Sequence, residues 1–226
     1  DALTGLHYFG ARYYDPAIGI FHGVDAWAEK YPSWSSFVYT MNNPVRYIDP
    51  TGNGTESTHI DDQGKVIAVI KDGDNSVYQH GKNADGKSIT KYQFEKRYEK
   101  HGTSANGTKV GETLTPYSFM GDNGHAVEGA IIDLNDNSGQ NFIDKEIVGS
   151  NLGLVEYMSN ATRGEEYDFK TRGIDERPEG MSRAQFTYRG MKFNEKIASA
   201  RDIGNYGAGF VAGNNGLDWG TARIGF

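Results

Sequence analysis

Asp168, Lys170, Arg189, Asp202 and Asn205 lie in the last third of the chain, with the types and spacing that phosphoryl chemistry uses. In Tyr167-Asp168-Phe169-Lys170 charged and aromatic residues alternate. In an extended segment that alternation puts Asp168 and Lys170 on one face and the two rings on the other. A carboxylate so placed can position or deprotonate a 2′-hydroxyl or a water, and a lysine can neutralise an oxyanion or a phosphate. The same alternation equally describes an exposed strand whose charges do nothing chemical. Arg189 and Lys192 flank the Tyr188-Arg189-Gly190 turn, where a guanidinium can present its planar fork to phosphate oxygens; solvation is the commoner fate of such residues. The stretch Arg201 to Gly207 reads as a helix entry, with Asp202 or Asn205 as cap and Gly204 allowing close approach of an anion to the backbone. Beyond it, Gly209 and Gly213 beside Ala208 and Ala212 suit tight helix packing.

Other constellations carry less. His59, Asp61, Asp62, Asp72, Asp74, His80 and Asp85 invite a metal reading, but the Asp-x-Asp-Asn pattern lacks the glycine and distal glutamate of a calcium loop, so turns are expected and no metal or cofactor is called for. His125 is the single histidine after residue 101, which argues against a two-histidine ribonuclease mechanism there. Cysteine is absent, excluding thiolate ligands, thiol nucleophiles and disulfides. No run of 18 apolar residues and no signal-peptide pattern at the N-terminus occur, so no transmembrane segment is expected. The net charge of -7 argues against broad, nonspecific nucleic-acid binding. Residues 160–226, however, hold 10 Lys/Arg against 9 Asp/Glu, which leaves room for a few placed cations.

The elements that must position these residues follow from local patterning. With 30 glycines in 226 residues, many short elements joined by tight turns are expected. Residues 5–52 alternate aromatic and β-branched residues between Asp-Pro, Ile-Gly, Asn-Asn-Pro and Asp-Pro-Thr-Gly turn signals, which predicts short hairpins. Lys65 to Ile70 lies between Asp-Gln-Gly and Asp-Gly-Asp, predicting a further hairpin over 57–80, and Gln93–His101 has the charge pattern of a short helix. From Gln140 to Asn160, Phe142, Ile143, Ile147, Val148, Leu152, Val155 and Met158 fall near helical spacing, although Gly149 and Gly153 interrupt them. Residues 196–211 and 217–226 extend the helical reading. The expected fold class is α+β: a β-rich segment over 1–53, a β-rich spacer over 54–115, and a mainly α-helical domain over 116–226.

Residues 5–52 resemble the conserved core that ends Rhs and YD-repeat proteins, in which Gly-Leu-x-Tyr-Tyr-x-Ala-Arg-Tyr-Tyr-Asp-Pro-x-x-Gly-x-Phe leads to Asn-Asn-Pro-x-x-Tyr-x-Asp-Pro-x-Gly. The resemblance implies an upstream repeat shell, a linking module over 54–115, and a variable effector after the Asp-Pro-x-Gly. It also implies an aspartyl-protease-like centre at Arg12, Asp25 and Asp49, in which two carboxylates share a proton to activate water. Alternatively, Arg12 pairs with Asp15 and Asp49 caps a turn before Pro50. The segments EEYDFKTRG, FTYRGMKFNEK and RDIGNYGAGFVAGNNGLDWGTARIG resemble the polymorphic toxin type 44 family, a predicted ribonuclease class. That resemblance implies an effector of interbacterial competition, an RNA substrate, a cognate immunity protein, and delivery by secretion machinery out of the producing cell into a target cell. An envelope-directed toxin and a noncatalytic adhesive tip are the alternatives. Asn53 stands where the Rhs pattern has Leu or Met, and the repeats that would hold the acidic centre in register are missing from this chain. An uncut chain is therefore expected; mass spectrometry of the purified protein should find no fragment beginning at Asn53 or Gly54.

Overall fold

The computed structural model describes residues 5–8, 12–24, 35–37, 56–150 and 152–217. Three short strands, β1 (His7–Tyr8), β2 (Tyr13–Asp15) and β3 (Ile20–Phe21), pair antiparallel in sequence order. The β2–β3 turn follows from its residues. The Asp15 carboxylate accepts from the Ala17 amide at 2.9 Å, and Gly19, at φ 72°, closes onto the Asp15 carbonyl.

The second sheet has the order β5-β4-β6-β7, from β4 (Ser57–Ile60), β5 (Val66–Ile70), β6 (Ser76–Gln79) and β7 (Thr108–Glu112). The expected hairpin over 57–80 is present as β4–β5, tied at its turn by Asp61, whose carboxylate accepts from the Gln63 and Lys65 amides at 2.9 Å. Strand β6 then returns on the other side of β4 and runs parallel to it. Helix α1 (Lys91–His101) starts at a capping box between Thr90 and Gln93 and buries Phe94 against one face of the sheet, with Ile67, Ala68, Ile89 and Ala105. The opposite face carries Ile60, Val66 and Val77, which pack with Phe119, Ala130, Ile132, Tyr188 and Ile197. Residues on both sides of position 115 thus share one core.

The expectation of a mainly helical C-terminal portion is overturned: residues 190–199 form a hairpin, and the whole is mixed, 29% helix against 22% strand. Strands β8 (Gly190–Phe193) and β9 (Lys196–Ser199) bury Met191, Phe193, Ile197 and Ala198. Their turn is Asn194-Glu195, both residues at positive φ (46° and 62°), the geometry that Asn-Gly usually signals. With glutamate in the second place, the hairpin hides from a turn search. The expected helix over 140–160 is two pieces. Helix α2 (Ser138–Asn141) opens into a π-helix over Phe142–Val148, and α3 (Leu154–Asn160) is a separate helix after it. The wider π turn stacks residues five apart, so Phe142 and Ile147 both point inward, while Val148, Val155 and Met158 stay exposed. Residues 161–181 run as consecutive turns with a short 3-10 segment at Ile174–Glu176, then α4 (Arg183–Thr187) under a Ser182–Gln185 capping box.

Helix α5 (Ala200–Asn214) begins at Ser199, not at Asp202 or Asn205. Ser199 and Asp202 form the capping box, and Ile203, Gly207 and Val211 face the core beside Phe142, Ile143 and Ile147. The helical pattern over 218–226 lies outside the described residues. None of the described helices is long and apolar enough to cross a membrane. Gly207 alone of the α5 glycines packs closely; a Cβ at Gly204, Gly209 or Gly213 would meet nothing within 4 Å. Gly209→Ala and Gly213→Ala should therefore each raise unfolding stability by about 0.5–1 kcal/mol in urea titrations. Gly107→Ala, whose Cβ would lie 2.7 Å from the His80 ring, should lower it by about 1–3 kcal/mol.

Candidate functional site

Asp168 and Lys170 do not share a face. Their segment is a turn rather than a strand: Tyr167, Asp168 and Phe169 are all buried and Lys170 is exposed. The rings go inward to the main core, Tyr167 stacked on Tyr157 at 5.6 Å and Phe169 beside Phe142 at 4.9 Å, and the turn geometry carries Asp168 in with them. Its carboxylate accepts from the Gly164 amide at 3.2 Å and from the Thr171 hydroxyl, and its carbonyl accepts from the Thr171 and Arg172 amides. Asp168 thereby latches a loop closed on itself.

Arg189 holds the same loop from outside. Its guanidinium donates to the carbonyls of Phe169 at 2.8 Å, Lys170 at 3.1 Å and Phe186 at 3.0 Å, and lies 4.3 Å from the Phe186 ring centre and 5.1 Å from that of Phe169. Burial lowers its pKa to about 10, with the Arg172 charge acting the same way and Asp136 and Asp168 opposing. It remains charged at neutral pH. Arg172, which the sequence reading passed over, sits between Phe142 and Phe169 and grips both carboxylate oxygens of Glu146, at 2.6 and 3.3 Å. Lys192 is exposed on β8, and its amide donates to the Asp136 carbonyl. Lys170, Arg172 and Arg189 thus meet on one loop, while Lys192 lies on β8 beside Asn137 and Gln140.

The remaining predicted residues lie elsewhere or serve the backbone. Asp202 accepts from the Ser199 amide at 2.9 Å and from the Thr115 hydroxyl at 3.3 Å; burial raises its pKa, opposed by hydrogen bonds from Ser118, Ser199 and Thr115. Asn205 is exposed, two positions along α5 from core-facing Ile203 and Gly207. Arg201 donates to the Tyr188 hydroxyl at 2.8 Å and pairs with Asp122 at 3.0 Å. In the N-terminal segment, Arg12 is buried, its guanidinium 3.9 Å from the Phe21 ring centre and hydrogen-bonded to the Ser36 carbonyl. Asp15 bonds His22 at 3.2 Å. Asp25 and Asp49 lie outside the described residues.

The most enclosed polar cluster is one for which the sequence suggested only turns. His59 and His80 are wholly buried, Nδ1 of His59 facing Nε2 of His80 at 3.0 Å, and Ser57 bridges His59 Nε2 at 3.0 Å to the Asp72 carboxylate at 2.8 Å. With Asp72 ionised, Ser57 donates to it and each ring must carry its proton on Nε2, which leaves the His80 Nδ1 lone pair buried without a partner. Burial holds His59 down to about 3 and His80 to about 4, so both are neutral in the fold. Glu56, beside Lys71 at 3.8 Å, is pushed up to about 7 by burial. Sequence spacing gave part of this signal, since Ser57 and His59 share a face of β4, but the parallel β4–β6 pairing that brings in His80 is not local. No group of three or more potential metal ligands occurs among the described residues.

The chain matches no family model, no curated protein and no solved structure.

The buried histidines set a pH dependence. Their folded pKa values lie below the ordinary 6.5, so their stabilisation is full above that pH and is lost as pH falls, by about 4 kcal/mol for the pair between pH 7 and 5. Glu56 runs the opposite way: its raised pKa contributes stability at low pH that is lost as pH rises toward 7, about 2 kcal/mol over the same interval. The protein should therefore be less stable at pH 5 than at pH 7 in urea titrations. Glu56→Gln should widen that gap by about 2 kcal/mol.

Proposed function

We propose that the chain is the effector end of an Rhs-type polymorphic toxin that is delivered into a target cell and cleaves RNA there, neutralised in its producer by a cognate immunity protein. The motif run over residues 5–52 and the type 44 resemblance of the last third support the class. The observation that carries the RNA reading is the loop held by Arg189. Three carbonyl bonds and the Asp168 latch make Lys170 an exposed cation on a rigid turn, and Lys192, three residues after Arg189 on β8, is a second exposed cation. Fixed cations that need no rearrangement are what phosphate binding and stabilisation of its developing charge require.

In this reading Lys170 and Lys192 contact phosphate, whereas Asp168 and Arg189 are positioning residues. Asn205 and Asp202 take no direct part: one sits on the outer face of α5 and the other caps that helix.

Inducible expression of the chain in a bacterial cytoplasm, with RNA, DNA and envelope integrity followed separately, tests the proposal. RNA should be degraded first, and Lys170→Met and Lys192→Met should each slow its loss about tenfold or more at unchanged melting temperature. Asp168→Asn should keep most of the activity, because an amide oxygen can still accept from Gly164 and Thr171; Asp168→Ala should lose activity and stability together. Loss on Asp168→Asn at full stability would instead make Asp168 a catalytic group. Lysis with RNA intact would replace the ribonuclease by an envelope-directed toxin.

A further inference from the structure

The two buried histidines lie under a cover that is fastened differently from the strands around them. His59 has the Phe94 ring centre at 4.5 Å and that of Tyr98 at 6.5 Å, and His80 has Phe94 at 5.5 Å; both aromatic rings belong to α1. The loop after α1 completes the cover, with Gly107 against the His80 ring and Ala105 fully buried. Side-chain packing holds this segment down: Phe94 and Ala105, with Tyr98 partly buried, meet Ile67, Ala68 and Ile89. Among the described residues, the one hydrogen bond or ion pair from residues 91–107 to a residue beyond their own flanks is Lys91–Glu128, an exposed pair of the kind that contributes little. Strand β4, by contrast, is paired with β5 on one side and β6 on the other, and the far face of the sheet packs on Phe119, Ile132 and Tyr188. The cover can therefore lift without breaking a strand pair.

A proton gives it cause to lift. In the neutral pair, His80 Nε2–H donates to His59 Nδ1, and His59 Nε2–H donates to Ser57. One more proton, on either ring, leaves an N–H at His80 Nδ1, the buried nitrogen that has no partner. The charged and titratable groups around the pair supply no acceptor there. Asp72 is engaged by Ser57, Asp74 by Ser76 and Tyr78, and Glu56, at the head of β4, faces Lys71. Burial disfavours charge on both rings; His80 acts the same way on His59 and Arg97 of α1 on His80, and only Asp74 opposes, at His59. Residues 102–107 bring no titratable side chain. We propose that residues 91–107 form a cover that acid releases, the His59–His80 pair taking up two protons as it meets water, while the β8–β9 hairpin and the core around it stay closed. This inference is independent of the RNA reading, because it uses no residue of the Arg189 loop.

The chain has no cysteine, so single introduced thiols report opening directly. Ala68, the cross-strand partner of His59, is buried with Phe94, and Ala198 is buried in β9. Ala68→Cys and Ala198→Cys, each in the whole chain, are labelled with dithiodipyridine at pH 6 and pH 5, and each rate is divided by that of a short peptide carrying the same thiol. Ile89→Cys, from the same buried cluster, repeats the first reading if Ala68→Cys packs poorly. The opening constant at position 68 should exceed that at 198 at both pH values and rise about fiftyfold from pH 6 to pH 5, as two histidines of ordinary pKa in the open form require. His80→Gln, whose amide keeps the donation to His59 and takes no proton, should cut the rise to about eightfold. His59→Gln should do the same, its amide accepting from His80 and donating to Ser57. Glu56→Gln should leave the rise unchanged, because Glu56 stays buried when only the cover lifts. Equal opening at 68 and 198, a rise below about threefold, a rise that survives both histidine changes, or one that Glu56→Gln alters would each overturn the proposal.

Discussion

Where β9 crosses the end of the four-stranded sheet, Ile197 lies so close to Gly111 of β7 that a Cβ on Gly111 would sit 2.8 Å from its Cδ1. The approach is sealed by the backbone: Thr113 bridges Ile197, the Leu114 amide donates to the Ile197 carbonyl at 2.8 Å, and Lys196 pairs with Glu112. Two lysines, Lys196 and Lys109, hold the Glu112 carboxyl down to about 2, so this ion pair persists across the ordinary pH range. The C-terminal portion meets the four-stranded sheet along that seam. The seam places the β8–β9 hairpin between the sheet and α5, and the hairpin in turn presents Arg189, one residue before β8, to the loop it holds.

Much of the four-stranded sheet is legible in the sequence because its determinants are local. Asp61 and its turn, the apolar run over Val66–Ile70 between turn signals and the Thr90–Gln93 capping box each act within a few residues. The C-terminal portion is less legible for equally physical reasons. Asn194-Glu195 adopts left-handed geometry without the glycine that normally advertises it, so a hairpin reads as continuous polarity. Phe142, Ile143 and Ile147 fit an α-helical face and a π-helical one alike, and spacing alone does not choose between them.

The candidate site shows the same division. Composition and order single out Asp168, Lys170 and Arg189, and the structure brings all three to one loop, but with altered parts to play. The alternation Tyr-Asp-Phe-Lys assumes an extended backbone; once Tyr167 and Phe169 are both drawn into the core through a turn, the carboxylate between them goes in as well. Arg172 escaped notice because its importance lies in what it reaches, Glu146, 26 residues away, and the rings of Phe142 and Phe169. The Ser57–His59–His80 chain escaped for a similar reason. A buried polar network is a property of strand order, which no local pattern encodes.

Helix α5 has its packing on one side only. Ile203, Gly207 and Val211 are set into the core, whereas Gly204, Gly209 and Gly213 contribute backbone freedom and no contact. A helix so built is fastened along a line and loose around it, which separates the free energy of opening its outer turns from that of unfolding the domain. Its amide hydrogens should therefore exchange with solvent through partial openings that leave the β8–β9 hairpin closed.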